Sequence, residues 1–340
     1  MMISGVDWNH RTNCIVTASH DRNAFVWNEE VVDGAKTWKP SLVILRIDKS
    51  ALDVKWSPNG LKFAAASGAK CVSVCSFADE DNWWVSKTIK KHKSTVLSLA
   101  WHPNSEFLAT GSSDFKCRVF SAYISTEGKP DPVTPTPCQG KVAEFGEVYY
   151  EFPTTGTVGW VNACAWSPSG ETLAYACHDS SIGFATFPPG GGDPLEQVIR
   201  LNDLPLVCLQ FVSDTGLVGA GHGYSPLALS RSASGEWAVV GALEAAPEAK
   251  AVEKVETSGA ASARAMFAKM DLSSKPAAGA QNAVDISWKA HQSSVTTMTP
   301  SGGLAQGSKT FGSVSTTSMD GRLVIWDLTK TTVKASALGV

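Results

Sequence analysis

The sequence predicts an all-β fold, a radial array of small four-stranded antiparallel sheets, and three observations carry that expectation. Short apolar-alternating runs end on an aromatic at Trp8, Trp56, Trp101, Trp166 and Phe211, at intervals of 48, 45, 65 and 45 residues. An aspartate follows the aromatic by 13 residues in three units, from Trp8 to Asp21, Trp101 to Asp114 and Trp166 to Asp179. Ser, Thr, Val, Gly and 12 Trp dominate the chain outside one region, which favours strands over helices. A period near 45 residues has the length of one propeller blade.

The best-formed unit runs from His92 to Ile124. It reads as a strand over Val96–Trp101, a Pro turn at His102-Pro103-Asn104 and a second strand over Phe107–Ser112. An Asp turn at Ser113-Asp114-Phe115 leads to a third strand, Lys116–Ser121. Such a sheet is marginal alone and must be buried by its neighbours. A sixth unit, His291 to Asp327, keeps the same offsets. His291 precedes Val295 by 4 residues, as His92 precedes Val96, and Asp320 precedes Trp326 by 6, as Asp21 precedes Trp27. Outer strands are expected at Leu42–Arg46, Trp84–Ile89, Val148–Phe152, Glu196–Leu201 and Glu236–Gly241. Units two and five are degenerate, with Gly68-Ala69 and Tyr224 where the turn Asp is expected.

Residues 1–340 therefore read as one propeller interrupted by two insertions. The 65-residue step contains a Pro-rich segment, 127–139, whose prolines forbid a central strand and favour an extended rim loop. The larger insertion, 243–287, shifts to Ala, Glu, Lys and Ser and is expected to be flexible. Within it, about 261–271, Ala263, Met266, Phe267 and Met270 recur at helical spacing, a short amphipathic helix. That helix either folds back on its own blade or presents an apolar knob to a partner's groove.

Chemistry is sought and not found. The chain is 43% hydrophobic and 18% charged with net charge −3, which gives no bulk attraction to nucleic acid. No apolar run approaches the ~18 residues of a membrane span, and the start lacks the pattern of a signal peptide; the expected address is the cytosol. The eight cysteines form no C-x-x-C pair and read as small thiols of a reducing compartment. His10, His20, His178 and His222 stand singly in turns. Pro189–Asp193 is glycine-rich, but no Gly-Lys-Ser/Thr follows, so it reads as a wide turn. Ser112, His92 and Asp114 imitate a catalytic triad, as do Ser318, His291 and Asp320, but the set recurs blade by blade. It reads as a polar network in which the Asp accepts from the His and the Ser bridges toward the aromatic. No catalytic, cofactor-binding or metal-ligating residue is assigned. Lys87, Lys90, Lys91 and Lys93 cluster before the third unit, either as a solvated edge or as a patch for an acidic partner segment.

The stretch His92–Ile124, the run HDRNAFVW at His20–Trp27 and the insertion element ARAMFAKMD at Ala263–Asp271 closely resemble the WD-repeat subunit family of the actin-related-protein complex that nucleates branched actin filaments. The resemblance spans essentially the whole chain. It implies a seven-bladed, non-enzymatic propeller that binds other complex subunits, contacts the mother actin filament and helps to receive the acidic tails of nucleation-promoting factors. It further implies cytoplasmic placement in the actin cytoskeleton. By match of motif it assigns the filament contact to Arg264, Met266, Phe267, Lys269 and Met270. The alternative is a WD-repeat scaffold of another cytosolic assembly, a coat or a ubiquitin ligase adaptor. Only six units are visible here, and the family's first blade would precede Ser4–Trp8. Either that blade is missing, or six blades close with Thr331–Ser336 supplying the last outer strand.

Overall fold

Six sheets follow one another in the computed structural model, which describes residues 2–32, 34–124, 144–156, 158–189, 192–245, 288–301 and 310–340. Blade one is β1 (Ile3–Asn9), β2 (Cys14–Ser19), β3 (Asn23–Val32) and β4 (Ala35–Ile44). Blade two is β5 (Ala51–Trp56), β6 (Lys62–Ser67), β7 (Cys71–Ala78) and β8 (Trp83–Ile89). Blade three is β9 (Val96–Trp101), β10 (Phe107–Ser112), β11 (Cys117–Ser121) and β12 (Val148–Phe152). Blade four is β13 (Val161–Trp166), β14 (Thr172–Cys177), β15 (Ser181–Thr186) and β16 (Leu195–Arg200). Blade five is β17 (Leu206–Phe211), β18 (Gly216–Gly221), β19 (Leu227–Arg231) and β20 (Trp237–Ala242). Blade six has three strands among the described residues, β21 (Val295–Pro300), β22 (Ser313–Ser318) and β23 (Leu323–Asp327). Each sheet is antiparallel with its strands in chain order.

The five outer strands fall where the sequence places them, with one difference. In blade one, β3 and β4 pair over ten residues each, from Asn23↔Ile44 to Val32↔Ala35, forming a hairpin that projects beyond the blade. Thr331–Ser336 forms no strand, which corrects the six-bladed closure. Its last residues enter a 3-10 turn, Ala335–Leu338, that packs under blade five, where the Ser213 hydroxyl donates to the Leu338 carbonyl. The segment 127–139 and the helix about 261–271, with Arg264, Met266, Phe267, Lys269 and Met270, lie outside the described residues.

Side-chain size decides radial position. The second strands of blades two to five, KFAAAS, FLATGS, TLAYAC and GLVGAG, are buried at every residue, because a neighbouring blade covers each face. Small residues let the sheets approach, and Gly111 shows the tolerance: a methyl there would press on Val161 of the next blade, 3.0 Å from its carbonyl oxygen. In all six blades the pairing of first and second strand skips one residue at the same place, namely Ser4, Leu52, Leu97, Asn162, Val207 and Thr296. A repeated bulge of this kind twists each blade the same way.

Polar clamps join the blades. The Asp7 carboxylate accepts from the Trp56 amide at 2.7 Å, and Asp53 accepts from the Leu99 amide at 2.9 Å. The Trp101 indole donates to the Lys55 carbonyl at 2.9 Å. Farther out, the Gln197 side chain both donates to the carbonyl and accepts from the amide of Trp237, whose ring stacks on Phe184 at 4.4 Å. First strands touch in the series β1, β5, β9, β13, β17, β21, and no comparable packing joins β21 to β1. Two blade faces consequently meet solvent among the described residues. One carries Val6, Trp8 and Ile44, and the other carries Leu323 and Ile325.

Candidate functional site: the loop end of the blades

The pairing registers put four chain segments at one end of each four-stranded blade: the start of the first strand, the end of the second, the start of the third and the end of the fourth. In blade three, Val96 lies opposite Ser112, and Cys117 lies opposite Phe152. Blade-to-blade linkers and the turns between second and third strands therefore share one end, where backbone bonds tie them. The Ser113 amide donates to Thr95, His178 to Trp160, His222 to Pro205 and Met319 to Ser294.

Each of those turns contains one residue in the left-handed region, at an equivalent place: Arg22, Lys70, Phe115, Ser180, Tyr224 and Gly321, with φ between 61° and 79°. Only the sixth is glycine. A side chain in that conformation costs roughly 1 kcal/mol or more relative to glycine, and it projects away from the blade. Blades one to three present mostly cations here. Arg22, Arg46, Lys49, Lys70, Lys90, Lys91 and Lys93 are exposed, with Asp48 among them. Blades four to six present rings and apolar groups. Trp160, about half exposed, stacks on His178 at 5.4 Å, and His178 meets His222 edge-on at 6.4 Å. The His222 Nδ1 bonds the Ser294 hydroxyl at 3.0 Å. Lys289 donates to the Gly223 carbonyl and lies over the Tyr224 and Trp288 rings.

The polar residues under this surface are structural, with two corrections to the network expected. In blade six the bridge is a threonine. The Thr316 hydroxyl bonds His291 Nε2 at 2.7 Å and accepts from the Trp326 indole at 2.8 Å, while Ser318 donates to the Ser293 carbonyl. His291 Nδ1 lies 3.8 Å from Asp320, beyond hydrogen-bond length. In blade three Thr110 bonds His92 Nε2 at 2.9 Å, and Ser112 donates to the Thr95 carbonyl at 2.9 Å. Asp114 there serves Arg118 rather than histidine. The Arg118 Nη1 donates to both Asp114 oxygens, its Nε donates to Glu151 at 3.0 Å, and its side chain is 2% exposed. Asp114 also accepts from the Lys93 amide at 2.8 Å. Although burial raises it, these bonds hold the Asp114 carboxyl below its ordinary range. Neither serine bonds a histidine, so the residues do not make a nucleophile and base. The described residues contain no group of three or more His, Cys, Asp or Glu arranged to hold a metal ion, and the seven described cysteines are unpaired thiols.

Lys90, Lys91 and Lys93 sit in the linker to blade three, on the loop end. Lys87 lies on β8, exposed, with its ammonium 5.8 Å from the centre of the Phe145 ring. Sequence reasoning missed Arg22, Arg46, Lys49 and Lys70, because only the ring of blades brings them beside the lysines. It also took His178 and His222 as unrelated. Their near-equal offsets after the blade anchors, 12 residues from Trp166 and 11 from Phe211, were the available signal.

Stacked blades, a threonine bridging histidine and tryptophan, and side chains concentrated at the loop end define a WD-repeat propeller. The model described as "WD domain, G-beta repeat" matches residues 2–28, 83–121, 147–184 and 284–327. The chain is 39% identical to actin-related protein 2/3 complex subunit 1B of Arabidopsis thaliana, over 96% of this chain and 82% of that protein. It is 39% identical to subunit 1A-B of Xenopus laevis over the same shares, and 38% identical to subunit 1 of Schizosaccharomyces pombe over 96% and 85%. The chain belongs to the actin-related protein 2/3 complex subunit 1 family.

Proposed function

We propose that this chain is a non-catalytic scaffold subunit of a cytoplasmic complex that nucleates branched actin filaments. The observation that carries the reading is identity of 38–39% over 96% of the chain to proteins named as subunit 1 of that complex. The loop end supports it, being built for contact rather than turnover. Its basic half suits the acidic tail of a nucleation-promoting factor, and the rings of its other half offer anchors for a tail that carries an aromatic residue. The insertion residues Arg264, Met266, Phe267, Lys269 and Met270 are assigned to the mother filament, on the strength of their motif.

Co-expression with the remaining subunits tests the reading. The chain should co-purify with them, and a chain that never enters the complex would sink it. With the complex intact, Phe267→Ala with Met270→Ala should depress branching while leaving assembly unchanged. Lys90→Glu with Lys91→Glu should weaken an acidic tail's binding roughly tenfold, with a smaller loss at high salt. A tail that binds the variant equally well would remove the lysines from the proposal.

A further inference from the structure

The opposite end of the molecule carries a different surface. Between the projecting β3–β4 hairpin of blade one and the β7–β8 hairpin of blade two lies a groove of about 480 Å³. Its walls are Asn28, Leu42, Phe77, Asn82, Trp83 and Trp84. Trp84 is held in place from below. Its ring lies 5.9 Å from Trp56, 5.3 Å from Phe63 and 5.5 Å from Phe77, in tilted or edge-on contacts. Trp83 and Phe77 are 50% and 40% exposed. Fixed aromatic floors with exposed aromatic rims are costly to leave in water and suit an inserted apolar anchor.

Charge identifies the occupant. The turn that carries Asn82 also carries Asp79, Glu80 and Asp81, three consecutive exposed carboxylates, and the Asn82 amide closes it on the Asp79 carbonyl. Across the groove, Lys36 and Lys39 are already paired with Glu29 and Glu30, at 2.6 and 3.2 Å. The mouth is therefore net negative, while the loop end of blades one to three is positive.

We infer that this groove docks a linear segment of a partner protein bearing one aromatic or large aliphatic anchor flanked by Lys or Arg. The anchor lies against Trp83, Trp84 and Phe77, and the flanking cations meet Asp79, Glu80 and Asp81. The inference rests on the rim geometry and stands whichever assembly the chain serves.

A random dodecapeptide display library, selected on the full chain with the Trp83→Ala chain as counter-selection, tests it. Enriched peptides should share an apolar anchor with neighbouring Lys or Arg. Resynthesised and labelled, they should bind the full chain with Kd values that rise about tenfold or more in Trp83→Ala. The same rise is expected in the combined Asp79→Lys, Glu80→Lys, Asp81→Lys chain. Those three carboxylates lie on an exposed turn, so the charge-reversed chain should melt with the parent and decides the matter if Trp83→Ala unfolds. Acidic winners, peptides that bind the charge-reversed chain equally well, or no selectable peptide would each overturn the inference.

Discussion

At the scale of single residues, the chain resolves repeated polar positions into different local solutions. Asp114 holds a nearly inaccessible arginine, so Asp114→Ala strands part of the Arg118 charge. That substitution should lower stability by about 3 kcal/mol, read from denaturant unfolding, since one partner of a buried pair is removed. The motif Asp was readable in sequence, but its partner was not: Arg118 follows by only four residues, and spacing alone does not tell that the turn folds the carboxylate back onto that buried side chain. Two histidines predict acid sensitivity. His102 accepts the Asn104 amide on Nδ1 and donates from Nε2 to the Gly170 carbonyl, with Trp166 edge-on at 4.8 Å. Burial pushes its pKa down to about 4, and burial with the nearby Arg118 charge pushes His92 to about 4 as well. A histidine depressed in the folded state contributes stability that is complete above its unfolded value near 6.5. That contribution is lost as pH falls toward 4, by up to roughly 3 kcal/mol for each ring. Unfolding midpoints should therefore fall between pH 6.5 and 4, and His102→Gln should flatten that fall.

At the scale of elements, blade boundaries were legible because aromatic, turn Asp and third strand keep fixed offsets. The second strands could be assigned from alternation, yet their complete burial follows from having a blade on each side. Units two and five lack the turn Asp and still form the same turn. Lys70 and Tyr224 there adopt the left-handed conformation found in every blade. That repeated backbone choice favours glycine, so retained side chains trade stability for surface. Phe115, with φ 69° and half its surface exposed, is the clearest case. Phe115→Gly should raise stability by up to about 1 kcal/mol in thermal unfolding, while weakening whatever partner the loop end holds. A stability loss would mean that the ring packs more than its exposure implies.

At the scale of the whole molecule, the six blades among the described residues are joined in series, and two of their faces there meet solvent. Such faces invite association. The chain purified alone should self-associate with rising concentration in sedimentation velocity. Ile325→Lys should reduce that association without lowering the melting temperature, because Ile325 is 64% exposed; an unchanged sedimentation profile would show that this face plays no part. The repeat period, the limits of the visible blades, the identity of the best-formed blade and the family resemblance were all determined by the sequence. They reside in local spacing, which twist and packing cannot alter. Only the tertiary structure decided which separated residues share a surface. It set Arg22, Arg46, Lys49 and Lys70 beside Lys90–Lys93, joined His178 to His222, and opened the aromatic groove between blades one and two. The physical reason is that strand order fixes what lies within a blade, whereas these groupings depend on how neighbouring blades stack.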